Sequence, residues 1–267
     1  MAMNPAVALM AVALAAVALG WGADPAVNVP ETVHLTAGAF AYRPAGEFRI
    51  GTRVVDAPLQ SLVALQPIDI MTYQVTEADF SRCMAAAACP QLPTGGLATQ
   101  AQTGVSYTDA VAYARWLSGQ TGQHWRLPTD AEWLRAAGDR AQDDGFEAAA
   151  SGDDPSRRWI AAYRREAAIR GEADFAPHPL GHFGRNDLGV ADMAGNVWEW
   201  TESCFQNGTL SADGQRIGSL VQHCGVRAVQ GKHRAFIIDF IRDARSGGCA
   251  AGVPPDYLGF RLVRDPA

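Results

Sequence analysis

Residues 192–200 read Asp-Met-Ala-Gly-Asn-Val-Trp-Glu-Trp. An acid and a Gly-Asn turn pair precede one glutamate that is flanked by two indoles. If the piece is extended, Trp198 and Trp200 point to one side and Glu199 to the other. Each indole buries ~150–250 Å², so the tryptophans anchor the segment and hold the glutamate in place. Calcium takes oxygen ligands and mixes carboxylates with backbone carbonyls from a tight turn. Asp192 and Glu199 bracket Gly195 and Asn196, which lets the chain double back and aim carbonyls inward. The other reading is a turn held by hydrogen bonds with no metal.

Upstream lie three helix starts of one kind, Thr76-Glu-Ala-Asp79, Ser106-Tyr-Thr-Asp109 and Thr129-Asp-Ala-Glu132. Each puts a hydroxyl at the N-cap and an acid three residues on, so the two satisfy each other's open amides. The second helix places Ala110, Tyr113, Ala114 and Leu117 on one face and is expected to stop at Gly119. The third is expected to end at Gly138, a left-handed terminator. Trp125, Arg126 and Trp133 read as core and helix-start residues. Before these helices, "GEFRIGT" (46–52) and "SLVALQPIDIMTYQVT" (61–76) are strand-like. Beyond residue 140, glycine, proline and short apolar pieces prevail, and a helical period returns only in "HRAFIIDFIRD" (233–243). "GDRAQDDGFEAAASGDDPSRR" (138–158) reads as a solvent-exposed insertion. The pattern predicts one compact, loop-rich domain.

The 267 residues are 48% apolar and 9% aromatic, enough to fill a core. A net charge of −6 with no basic run disfavours nucleic acid and anionic membrane as partners. An uncharged apolar run from Ala6 to Leu19 is too short for a comfortable bilayer span and suits an export signal cleaved near Ala18-Leu19-Gly20; a retained anchor is the alternative. The expected organisation is a signal peptide at 1–20, an extended leader at 21–34 and the domain at 35–265, with a periplasmic or secreted location and no membrane span in the mature chain.

Five cysteines fit an oxidising compartment. Cys83 and Cys89 are close in sequence, and Cys204 and Cys224 flank a polar, Gly-containing loop, so these are the expected pairs, contributing about 2 and about 3 kcal/mol on a chain-entropy model. Cys249 is left over.

In order along the chain, "FRIGT" with "YQVTEADF", "GVSYTDAVAYARWL", "HWRLPTDAEWLRAA" and "NDLGVADMAGNVWEW", closed by "LGFRLVRD", resemble the formylglycine-generating enzyme family, also called the sulfatase-modifying-factor family, over residues 35–265. The resemblance implies a single α+β domain related to C-type lectin folds, with little regular secondary structure and bound structural calcium. The family's calcium motif falls on Asp192, Gly195, Val197 and Glu199, the middle two through their carbonyls. A second calcium site has no recognisable counterpart in 159–175.

Formylglycine-generating enzymes oxidise a substrate cysteine with copper(I) held by two thiolates spaced Cys-x4-Cys, because soft sulfur selects that ion. Aligned on "VQGKHRAFIIDFIRDARSGG" (229–248), the two positions become Phe236 and Ile241, so copper is not expected. His233, His223 and Cys249, with His178 and His182 as a second pair, are the remaining candidates for a transition metal, although six histidines are unremarkable in a chain this long. Arg242 and Arg245 keep the family's basic positions, and either ligand contacts or internal salt bridges account for them. The expected ligand-binding set is His233, Phe236, Ile241, Arg242 and Arg245.

Two classes of function fit. One is a periplasmic maturation or accessory protein that binds a peptide, a protein or a peptide-derived small molecule; any catalysis would be an oxidoreductase step of formylglycine-generating or siderophore-maturation type. The other is a calcium-stabilised, lectin-like binding or structural module without catalysis. An unorthodox formylglycine-generating oxidase is a weaker third.

Overall fold

All three hydroxyl-x-x-acid boxes start helices in the computed structural model, which describes residues 27–64, 66–143, 145, 160, 163–164, 176–244 and 257–266. Helices α1 (Glu77–Ala85), α2 (Tyr107–Thr121) and α3 (Asp130–Ala137) each carry the complete reciprocal cap. α2 runs through Gly119 and ends at Gly122, whose φ of 66° makes it the left-handed stop. An interior glycine costs a helix only about 1 kcal/mol, and the buried face formed by Ala110, Tyr113, Ala114 and Leu117 outweighs it. α3 stops at Gly138 as expected, with φ at 54°.

The strands are β1 (Thr32–Leu35), β2 (Gly38–Tyr42), β3 (Glu47–Ile50), β4 (Arg53–Val55), β5 (Gln60–Ala64), β6 (Ile68–Met71), β7 (Trp125–Arg126), β8 (Trp198–Leu210), β9 (Ile217–Gln230), β10 (Arg234–Ile238), β11 (Leu258–Gly259) and β12 (Val263–Arg264). They form a four-stranded sheet in the order β1-β6-β12-β7, a six-stranded sheet β10-β9-β8-β3-β4 with β11 beside β8, and the pair β2-β5. This is the mixed α+β domain that the sequence predicts, with few helices.

Two expectations change. Thr32–Leu35 pairs antiparallel with β6, so the folded domain begins inside the expected leader. The helical period in 233–243 is overridden because Arg234–Ile238 pairs antiparallel with Val226–Gln230, which satisfies its backbone from the neighbouring strand. The signal segment, most of 138–158 and both Arg245 and Cys249 lie outside the described residues. Both disulfides join the expected partners, Cys83 with Cys89 and Cys204 with Cys224. Among the described residues no helix is long and apolar enough to cross a membrane.

Three apolar clusters fill the interior: a small one of Phe48, Ala57 and Leu210 beside β3 and β8, and two larger ones. The larger of these two packs α1 and α2 against β8–β11 and includes Phe80, Tyr113, Trp198, Trp200 and Phe260. The smaller of the two packs α3 against β1, β6 and β12 around Ile70, Trp133 and Met193. The segment 258–264 runs from β11 in one sheet to β12 in the other, and Phe260, Arg261 and Leu262 on the way are fully buried.

Candidate functional site

The turn that opens the sequence reading is closed from within. Glu199 lies in β8 between Trp198 and Trp200 of the larger cluster and is fully buried. Its Oε1 accepts from Gln74 Nε2 and from an Arg261 terminal nitrogen, both at 2.7 Å. Its Oε2 accepts from Trp133 Nε1 at 2.8 Å and Arg261 Nε at 2.6 Å. Four donors therefore meet the four lone-pair sites of a carboxylate. Arg261 is as fully spent: its remaining N–H groups donate to the carbonyls of Met71, Thr72 and Ala191. The pair ties β8, the end of β6 and the 191–197 turn into one knot where the two larger clusters meet. Burying it is tolerable only because each partner is completely hydrogen-bonded.

Asp192 serves the same turn differently. Its two carboxylate oxygens accept backbone N–H bonds from Gly181 at 2.6 Å and Phe183 at 2.9 Å. Asp192, Ala194 and Asn196 all take positive φ, near 56°, 57° and 62°, a conformation that side-chain residues adopt only when the surroundings hold them there. Asn196 does some of that holding, accepting from His178 N and donating to Gln74 Oε1.

Of the motif residues Asp192, Gly195, Val197 and Glu199, the two carboxylates already accept from protein donors, Asp192 from backbone N–H groups and Glu199 from Gln74, Trp133 and Arg261. A cation at Glu199 would have to displace the guanidinium that already neutralises it or sit beside that positive charge. Among the described residues no group of three or more His, Cys, Asp or Glu side chains converges on a common point.

The segment 231–244 is built on other terms. After β9 the chain turns at Gly231, where a Cβ would stand 2.7 Å from the Trp198 ring, so any larger residue there must displace the indole or the turn. His233 packs edge-on to Trp198 at 5.5 Å, and its carbonyl accepts from Trp198 Nε1. Phe236 is half-buried on β10 and meets Phe205 of β8 edge-to-face at 4.9 Å; the His223 ring of β9 lies 6.2 Å from that of Phe205. Ile241 packs on the larger cluster, and Phe240 beside it is 67% exposed.

Arg242 forks onto Asp109, Nε to Oδ2 at 2.7 Å and a terminal nitrogen to Oδ1 at 2.9 Å, so the internal salt bridge accounts for it. Burial alone would raise the Asp109 pKa, but the Arg242 hydrogen bonds and the Ser106 cap outweigh it and hold the carboxyl below the usual range. Arg245 lies outside the described residues. The structure thus brings Phe236 together with Phe205 and His223 and places His233 on Trp198, while Arg242 is anchored to α2. A cavity of about 310 Å³ is lined by Val27, Glu31, Tyr73, Asp79 and Arg82 among others, none of them from 231–242. The candidate ligand surface is an open aromatic face.

His178 and His182 stack almost parallel, 3.9 Å between centroids. Parallel stacked rings direct their nitrogen lone pairs side by side, so as arranged they do not converge on one metal.

Sequence reading missed a second buried charge pair. Asp130, fully buried, accepts from Gln230 Nε2 at 2.6 Å and pairs with Arg234 at 3.0 Å. Tyr42 packs beside them, and its phenol is pushed well above the ordinary range by burial and by the neighbouring Asp130 charge. This pair fastens the start of β10 to α3, so the strand bearing Phe236 is anchored at both ends.

Fold and site together define a loop-rich α+β scaffold with an ion-paired turn and an aromatic face on its β8–β10 strands. The sulfatase-modifying factor enzyme 1-like domain model matches residues 21–266, and the chain belongs to that family. It is 39% identical over 113 residues to the formylglycine-generating enzyme of Mycobacterium tuberculosis, covering 38% of this chain and 32% of that protein. It is 33% identical over 102 residues to hercynine oxygenase of the same organism, covering 37% of this chain and 21% of that protein. The matched stretches thus span a third or less of these curated relatives. Among solved structures, PvdO from Pseudomonas aeruginosa superimposes with a TM-score of 0.56 at 24% identity, covering 89% of this chain and 95% of that one, a likeness of fold.

Proposed function

We propose that this chain is an exported maturation or accessory protein of the family, one that binds a peptide or peptide-derived ligand across β10 and the 239–242 turn without copper–thiolate chemistry. The observation that carries this reading is the environment of Phe236. Where the family resemblance puts a thiolate, a phenyl ring packs on Phe205 beside His223, with exposed Phe240 a few residues on. Phe236 and Ile241 offer no sulfur, nitrogen or oxygen to a soft metal. Rigid, half-exposed aromatics are the side chains that anchor peptides at modest entropic cost. The apolar N-terminal run supports export, and the two disulfides fit an oxidising compartment.

Calorimetric titration with a cysteine-containing peptide library, metal analysis and an aldehyde assay test the proposal together. Binding that weakens about tenfold or more in Phe236→Ala, the loss expected of one aromatic anchor, with no copper and no aldehyde, is the expected outcome. Stoichiometric copper with thiol-to-aldehyde turnover would replace this reading with the oxidase one.

A further inference from the structure

The two disulfides occupy opposite environments. Cys83 and Cys89 are 0% and 6% exposed within the larger apolar cluster. Cys204 and Cys224 straddle an irregularity in the β8–β9 ladder: Cys204 pairs with Arg227 but the next residue, Phe205, pairs with His223, so Cys224, Gly225 and Val226 are extra residues on β9. Cys224 sits exposed in that bulge, whereas Cys204 is 8% exposed.

Arg227 aims at the buried sulfur. One of its terminal nitrogens donates to Cys204 Sγ at 3.3 Å and to the Glu202 carbonyl at 2.6 Å. Its guanidinium carbon lies 4.1 Å from the centre of the Tyr107 ring, which fixes the group over α2's first turn. Among the described residues Arg227 makes no ion pair, so a full positive charge with no carboxylate in contact stands beside one sulfur of a disulfide whose other sulfur belongs to an exposed residue.

A cation lowers the pKa of a neighbouring thiol, and a lower leaving-group pKa speeds thiol–disulfide exchange. We infer that Cys204–Cys224 is a thiol-exchanging site, with Cys224 as the sulfur attacked, Cys204 as the leaving thiolate and Arg227 as the positioning charge, and that its substrates are thiols and dithiols. An incoming thiolate forms a bond to Cys224 Sγ; the Cys204–Cys224 bond breaks and its electron pair stays on Cys204 Sγ beside Arg227. A second thiol of the same substrate then attacks the mixed disulfide and releases Cys224. The substrate dithiol is thereby oxidised by two electrons to its disulfide, and the protein's disulfide is reduced to two thiols.

The bulge joins this chemistry to the aromatic face. Gly225 O, next to Cys224, accepts from Asp239 N at the end of β10, and Val226 pairs with Ile238. A thiol-bearing ligand held along β10 therefore lies beside the reactive bond.

The inference does not rest on the peptide-binding reading, and the two fail separately. The full chain is incubated with excess reduced glutathione or, in a parallel arm, with a short cysteine peptide; free thiols are alkylated over time and mapped by mass spectrometry. Expected are opening of Cys204–Cys224 while Cys83–Cys89 stays closed, adducts on Cys224, and opening about tenfold slower in Arg227→Gln but near the wild-type rate in Arg227→Lys. Faster opening with the peptide than with glutathione identifies a peptide as the preferred source of the thiol; equal rates identify a small thiol. Near-ultraviolet circular dichroism verifies that each variant is folded. Equal opening of the two disulfides, adducts on Cys204, or no difference between the Gln and Lys variants would overturn it.

Discussion

The turn at 191–200 and the segment at 231–244 lie side by side and solve opposite problems. In the turn the charged groups are consumed: Glu199 has four donors and Arg261 has acceptors for every N–H. In the segment the anchors are at the ends, Arg234 on Asp130 and Arg242 on Asp109, while the middle presents Phe236 and Phe240. A closed network specifies one conformation and has nothing left for a ligand; a surface pinned at both ends keeps its shape and stays available. The site that draws attention in the sequence is scaffold, and the less conspicuous stretch beside it is the candidate interface.

The comparison is broken most severely at the knot. Arg261→Met leaves the Glu199 carboxylate buried without its cation and should cost about 3–5 kcal/mol, as for other half-removed buried pairs. Denaturant unfolding measures this. Adding Glu199→Gln to the same chain removes the orphaned charge and should recover part of the loss.

A smaller effect is expected at the hinge between the regions. Gly231→Ala drives a methyl group to within 2.7 Å of the Trp198 ring, so the indole or the turn must shift. Overpacking of this kind costs about 1–3 kcal/mol, seen as a lower melting temperature together with altered tryptophan fluorescence.

Arg242→Ala should cost less still, about 0.5–1 kcal/mol at neutral pH, because the side chain is 48% exposed and solvent screens the pair. Its pH dependence has a definite sign. The folded-state pKa of Asp109 is depressed, so its contribution is complete above the ordinary aspartate value of about 3.9 and is lost as pH falls through the lower folded value. In Arg242→Ala the acid limb of the stability curve should therefore be shallower over that range.

The sequence shows some of this plainly and hides the rest for physical reasons. Helix caps are local, so Thr76, Ser106 and Thr129 announce their helices. The alternation of Trp198, Glu199 and Trp200 is a property of any extended chain, and the spacing of the cysteines suffices to pair them. Arg261 is different: it stands 62 residues from Glu199, and nothing in "LGFRLVRD" says which carboxylate it meets. The strand at 234–238 is legible only after its partner at 226–230 is known, because its apolar spacing also suits a helix. Asp130 reads as a first-turn acid of α3, and its pairing with Arg234 has no local signature. The calcium expectation turns on the same point, since two acids flanking a Gly-Asn turn look alike whether a metal or a guanidinium completes them.

Thermal unfolding of the full chain in millimolar calcium and in excess EGTA tests that substitution most directly. With Glu199 already closed by Arg261, Gln74 and Trp133, the two melting curves should coincide. A melting temperature several degrees higher in calcium would mean that a metal, and not the arginine, completes the turn.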